Sequence, residues 1–329
     1  MTKQEIILTG IRAAQETIAS LVRRTPTVAL SALSTESGTN VLLKLENLQA
    51  TGSFKVRGAA NKLLKLSDQE RSDGIISVSS GNHGRAVSFV ANSLGIQATV
   101  CIPDTVPDIK QKAIEKLGAE VQVAGATYDE AAAFAEQLRS ERGMTMVHPF
   151  DDPYVIEGQG TIGLELLEDM PAIDTVLVPL SGGGLLSGIA FALKQTNSAI
   201  RTIGITMDRG AAVYESLRAG RIVEIHEEPT LADALAGGLG PNNTYTFEMI
   251  QEFVDETVLV SEREIAEATT FLFDEHRIVV EGGGAVRIAA LMTKRATQLG
   301  DNIAVVISGG NIDLPLLQDV LQGRHPFGD

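Results

Sequence analysis

Cysteine is almost missing from this 329-residue sequence: Cys101, within ATVCIP, stands alone. No intramolecular disulfide can form, and a reducing compartment fits best. Positive charge is also short. Lys and Arg number 27 against 42 Asp and Glu, a formal net charge of −15. Such an acidic surface repels nucleic acid and anionic membrane, so neither is expected as a partner. A small anion is not excluded, because local dipoles in a site can oppose the global field. Long apolar runs are lacking too, so no segment is expected to span a bilayer. The N-terminal MTKQEIILTGIRAAQETIASL carries acids among its apolar residues and has no signal-peptide h-region. The expected location is the cytoplasm. What is present is 44% hydrophobic and 21% charged, the balance of a soluble globular chain. The length suits one large α/β domain or two coupled ones.

Strand-like and helix-like segments alternate almost throughout. GIISVSS precedes NHGRAVSFVANSLG, QATVCIP precedes PDIKQKAIEKLG, and AEVQVAG precedes TYDEAAAFAEQLRSERG. DTVLVPLS leads into GGGLLSGIAFALKQ, AIRTIGITM into GAAVYESLRAG, and NIAVVISGGN into LPLLQDVLQ. This rhythm predicts an α/β fold of parallel strands with crossover helices. Most strands are continuous apolar runs, as expected when both sheet faces are covered. HPFDDPY is the best candidate for a crossing between two sub-domains.

Ligands of open α/β sheets sit at the carboxyl ends of strands. The glycine-rich turns fall at those places: SSGNHG at 79–84, SGGGLLSG at 181–188 and SGGN at 308–311. SGGGLLSG can hold a phosphate on backbone N–H groups, or can be a tight strand-to-helix turn. It is not a P-loop, since no Lys-Ser/Thr follows its glycines, and a dinucleotide is poorly supported. SSGNHG can cradle a carboxylate, with the Asn82 amide free for a ring oxygen. His83 taken alone reads as a capping or packed histidine. Lys55, in TGSFKVRG, follows Ser53, a plausible N-cap, and so opens a helix. The helix dipole and partial burial there both disfavour the ammonium form. Such a lysine can form a Schiff base, or can be an ordinary helix-start lysine.

Together, a phosphate cradle, a carboxylate cradle and a nucleophilic lysine point to pyridoxal phosphate (PLP) acting on an amino acid. The chain resembles the fold-type II PLP enzymes, and within them the threonine/serine dehydratase and serine racemase group. The resemblance runs in order from ENLQATGSFKVRGA through SSGNHG, HPFDDPYVIEGQGT, VPLSGGGLLSG and TLADALAGGLG to VVISGGNID. It implies a tryptophan synthase β-like fold: two open α/β domains with mostly parallel twisted sheets and the cofactor between them. The expected division is 1–65 with 151–329 as a large PLP-binding domain. Residues 66–150 are then a small domain with the substrate-carboxylate loop.

The resemblance also implies roles. Lys55 holds the cofactor covalently and later moves protons. Phe54 packs on the pyridine ring, and Asn82 meets its 3-oxygen. Gly182, Gly183, Gly184 and Leu185 give N–H groups to the phosphate. Ser308 meets the pyridine nitrogen, and a serine cannot hold that nitrogen protonated, which suits loss of a β-leaving group. Ser79, Ser80, Gly81, Asn82 and His83 surround the substrate carboxylate. Ser80 matches the second-face base of racemases but is shared by dehydratases. The implied activity is a dehydratase of the ammonia-lyase type on threonine, serine, hydroxyaspartate or a hydroxyectoine-derived amino acid. A racemase on the same scaffold and a PLP-binding protein without turnover are the alternatives. A homodimer is expected of the family.

The sequence departs from the family pattern in several places. Ser181 replaces the first glycine of the phosphate loop, and Arg85 replaces the glutamine after SSGNHG. Arg85 reads as a surface residue or as positive charge for an acidic substrate. Thr206 and Ala212 stand where racemases place cation-binding carboxylates, with Asp208 out of register, so no metal is expected. No regulatory domain is expected after SGGNID. MDRGAAVYESLRAGRIVEIHEEPTLADALAGGLG is similar to the hydroxyectoine-utilisation dehydratases. Cys101 is expected to be a buried strand residue, and Glu281 to lie at the pyridine edge or to start a helix.

Overall fold

The computed structural model describes residues 5–37, 39–240, 242–324 and 327. In chain order the strands are β1 (Thr27–Ala29), β2 (Asn40–Leu45), β3 (Ile75–Val78), β4 (Ala98–Ile102) and β5 (Glu120–Val123). They continue with β6 (Thr145–Met146), β7 (Thr175–Pro179), β8 (Arg201–Met207), β9 (Glu256–Val260) and β10 (Asn302–Ile307). One sheet is four-stranded in the order β5-β4-β3-β6, and the other six-stranded in the order β1-β2-β10-β7-β8-β9. All pairings are parallel except β1 with β2. This is the mostly parallel α/β architecture that the alternating sequence predicts. Among the described residues no helix is long and apolar enough to cross a membrane.

The chain divides into two compact units. One takes the chain as far as Arg23 together with Gln49–Gln159, the other Arg24–Leu48 and Gly160 onward. Compared with the grouping read from the sequence, residues 5–23, 49–65 and 151–159 lie with the four-stranded sheet. Packing explains it: Val56, Ala59, Ala60 and Leu63 of helix Lys55–Leu64 share one core with Val87, Val90 and Ala91 of helix Asn82–Leu94. The Asn61 side chain also donates to the Tyr154 carbonyl at 2.7 Å.

In the first unit every residue of β4, ATVCI, is buried, which accounts for its unbroken apolar run. Cys101 lies there, fully buried as expected, and burial pushes its thiol up to about 11. In the second unit β7 and β10 are buried along almost their whole length. Their core joins Leu177, Val305 and Ile307 to Ile203 and Ile205 of β8 and to Val286 and Ile288 of helix Gly282–Met292. Fully burying each such side chain is worth about 1.5–3 kcal/mol. Capping boxes begin helices Asp68–Asp73, Tyr128–Arg142 and Glu262–His276, pairing Ser67 with Glu70, Thr127 with Glu130 and Ser261 with Glu264. Because β7 and β10 are parallel neighbours, with Val305 beside Leu177, the turns after them emerge side by side.

Candidate active site

Lys55 is the first residue of its helix, and its N-cap is Phe54, not Ser53. The expected capping by Ser53 does not occur: its hydroxyl is buried and has no hydrogen-bond partner. The helix start is instead seated by packing. A Cβ on Gly158 would stand 2.6 Å from the Arg57 carbonyl, so glycine lets the helix Pro153–Asp169 lie against it. The Lys55 amine donates to the Pro149 carbonyl at 2.7 Å and lies 5.3 Å from the centre of the Phe54 ring. HPFDDPY, read from the sequence as a crossing segment, thus supplies the acceptor that holds this amine. No sequence signal marked Pro149 for that part.

The SSGNHG loop follows β3 and opens helix Asn82–Leu94, with Gly81 as N-cap and no side-chain cap. Ser79, Ser80, Gly81 and Asn82 are half-buried. The Ser79 hydroxyl accepts from the Gly81 N–H at 3.3 Å, which shapes the loop. His83 is buried, and its Nε2 lies 2.9 Å from the Val147 carbonyl, to which it donates as a neutral ring. The packed-histidine reading therefore describes its side chain, and its backbone N–H is what it can offer a ligand.

Burial, then the Lys55 charge, pushes the His83 imidazole down to about 3. Unfolded, the same ring takes a proton near 6.5. Between those values the unfolded chain binds more protons, so stability falls as pH falls through the window. The expected slope is about 1.4 kcal/mol per pH unit. His148, also lowered by burial, adds to it. Urea unfolding at neutral pH and at about pH 5 reads the slope, and His83→Asn is expected to flatten it. A wild-type stability that is level over this range contradicts the assignment.

In the second unit the SGGGLLSG turn joins β7 to helix Gly184–Thr196. Gly183 is the N-cap at φ +90°, and no side chain caps the helix. Gly182, Gly184 and Leu185 are buried, as are the helix residues through Leu193. The first amides of a buried, uncapped helix need an acceptor. Backbone N–H groups at a positive helix end suit a phosphate, so these residues fit the phosphate of PLP. A Cβ on Gly183 would stand 2.7 Å from Ile250 and 2.9 Å from Thr246. Gly183→Ala is expected to cost about 1–3 kcal/mol of local strain, visible as weaker PLP retention in a cofactor titration. Retention equal to wild type counts against the cradle.

Ser308 follows β10 directly and is buried. Its hydroxyl lies 3.2 Å from the Gly283 carbonyl and 3.5 Å from Arg287 Nη2. Arg287 was not singled out in the sequence; the signal was a lone cation inside the apolar AVRIAALM. Glu281 starts helix Gly282–Met292 and accepts from the Asn311 N–H at 3.2 Å, which agrees with its helix-start reading.

The departures resolve as follows. Arg85 lines a cleft of about 610 Å³ in the first unit with Asp108, Ile109, Lys112 and Lys116. Thr206 is buried near the end of β8, and Ala212 opens helix Ala212–Ala219. Asp208 follows β8, and burial raises its carboxyl above the usual range. Ser181 is half-buried.

A family described as "Pyridoxal-phosphate dependent enzyme" matches residues 18–309. The chain is 43% identical over 316 residues to an L-threonine ammonia-lyase of Thermotoga maritima, covering 96% of this chain and 78% of that one. It is 41% identical over 325 residues to a catabolic L-threonine dehydratase of Staphylococcus aureus, covering 98% and 93%. Among solved structures, maize serine racemase superposes with a TM-score of 0.90 at 33% identity, covering 96% of this chain and 97% of that one.

Proposed function

The chain belongs to the pyridoxal-phosphate dependent enzymes, and from that premise we propose that it is a dehydratase of the ammonia-lyase type. It removes the 3-hydroxyl of a small amino acid and leaves a keto acid and ammonia. The observation that carries this reading is Lys55, whose amine is presented at a helix start and held by a neutral carbonyl. The names of the relatives, L-threonine ammonia-lyase and L-threonine dehydratase, make threonine the first substrate to test.

When bound, PLP supplies a sink for the electron pair released at Cα. Gly182, Gly183, Gly184 and Leu185 would hold its phosphate, Phe54 its ring, Asn82 its 3-oxygen and Ser308 its nitrogen. Ser79, Ser80 and Gly81, with the amides of Asn82 and His83, orient the substrate carboxylate. Lys55 takes the Cα proton as general base, and the 3-hydroxyl leaves as water with a proton from the same amine. Water is regained when ammonia is released, so the net change is amino alcohol to keto acid plus ammonia.

Two finer readings have their own support. The MDRGAAVYESL segment favours a substrate derived from hydroxyectoine. The cyclic amidine has no primary amine to react with PLP, so the substrate would be its ring-opened form with a free α-amine. Ser80, half-buried in its loop, and the likeness to a serine racemase favour some racemisation. The family's dimer is part of the same proposal and is read by sedimentation.

The test is keto acid and ammonia release from L-threonine, L-serine, threo-3-hydroxyaspartate and ring-opened hydroxyectoine, with chiral chromatography of the remaining amino acid. Keto acid from one of them is expected. No keto acid from any, with PLP bound, removes the dehydratase reading; D-serine without keto acid replaces it with racemisation.

A further inference from the structure

Arg287 is fully buried in helix Gly282–Met292. Nη1 donates to the Gly283 carbonyl at 2.7 Å and Nη2 to the Gly284 carbonyl at 2.6 Å. Nη2 also lies 3.5 Å from Ser308 Oγ, while Nε is buried with no partner. Among the described residues no carboxylate pairs with this guanidinium; Glu281 acts on it only through space. The approach is built into the backbone. A Cβ on Gly284 would stand 2.5 Å from the Gly309 carbonyl, so glycine there lets the helix start lie against the turn that carries Ser308. A buried cation without a carboxylate partner is costly. Its hydrogen bonds to its own first turn leave that cost largely in place, and Ser308 is the side chain it meets.

We infer that Arg287 is a positioning residue for the cofactor's ring nitrogen. Acting through Ser308 and through its charge, it keeps that nitrogen unprotonated and biases the enzyme toward elimination over racemisation. The inference rests on the proposed function, in which Ser308 meets the nitrogen. A serine hydroxyl has one proton to donate. With Arg287 donating to Oγ, that proton can turn from the Gly283 carbonyl to an unprotonated nitrogen. A protonated nitrogen would need Oγ as an acceptor and would set two cations on either side of it. At 3.5 Å the contact is weak as a hydrogen bond. The charge acts at that range all the same, and more strongly in a buried site than in water. Burial pushes the guanidinium down to about 9, which leaves it cationic at neutral pH. A weaker sink holds the Cα electron pair less long, so the β-hydroxyl departs before a proton returns to the other face.

The test is nitrogen NMR of ring-labelled PLP bound to wild type, Arg287→Met, Arg287→Gln and Arg287→Lys across a pH series. The ratio of D-serine to keto acid formed from L-serine is measured beside it. In the two neutral variants the nitrogen is expected to titrate higher by about one unit or more. Their D-serine ratio is expected to rise roughly tenfold. Arg287→Lys, which keeps the charge, is expected to stay near wild type. Arg287→Gln keeps amide donors for the glycine carbonyls and carries the comparison if Arg287→Met does not fold. A nitrogen titration in the neutral variants equal to wild type, with PLP bound, overturns the inference. Wild type that binds PLP but yields no keto acid from any of the four substrates above removes the proposed function instead, and the nitrogen titration still decides the part played by Arg287.

Discussion

Lys55→Ala is expected to lose at least about 10⁴-fold in turnover and to carry no pyridoxyl group after borohydride reduction with PLP. The size follows from the two tasks assigned to one nitrogen, covalent attachment and proton transfer. Its setting explains why another lysine does not replace it. The amine is half-buried at the first residue of its helix and anchored 2.7 Å from the Pro149 carbonyl. Lys62, two turns further on, is committed to Asp152 at 2.6 Å. Lys55→Arg keeps the charge but cannot form an imine, so it too is expected to trap no adduct. Both variants are expected to bind PLP non-covalently, because the glycine turn after β7 does not depend on Lys55. Mass spectrometry of the reduced protein reads the adduct. An adduct of wild-type yield in Lys55→Ala means that another lysine is the nucleophile.

Lys44→Met is expected to lower the free energy of unfolding by about 3–5 kcal/mol. Lys44 lies in β2 and is fully buried. Its amine donates to the Thr25 carbonyl at 2.8 Å and faces Glu165 at 2.7 Å and Asp169 at 3.3 Å. Arg24 also reaches Asp169, at 2.5 Å, but from a half-exposed position, so it contributes little by itself. Methionine keeps the length of the side chain and removes the cation that faces the buried Glu165 carboxylate at 2.7 Å. Breaking one side of a buried pair is costly, whereas replacing both sides by apolar groups is often close to neutral. Lys44→Met with Glu165→Leu is therefore expected to regain much of the loss. Urea unfolding of the single and double variants reads both numbers. A double variant less stable than the single one shows that Glu165 is held by something other than Lys44.

Much of this was legible in the residues. ATVCI and IAVVI read as strands covered on both faces, and both are buried almost throughout. Ser53 failed as a cap for a physical reason. A serine before a helix is a strong local signal only where its backbone stays extended and its hydroxyl reaches the helix amides. Here Phe54 takes the cap position and Ser53 is packed away. The hydroxyectoine likeness rests on one segment, and nothing in the fold depends on it.

Residue chemistry and short-range pattern were enough to mark a lysine at a helix start, three glycine-rich turns after strands and a parallel α/β sheet. Each of those is a property of a few consecutive residues. Folding settled which groups those residues meet. The Lys55 amine finds the carbonyl of Pro149, His83 that of Val147, and Arg287 the hydroxyl of Ser308. Such partners lie far apart along the chain. Strand order and the close approach of helices at glycine bring them together, and no local pattern of side chains carries that information.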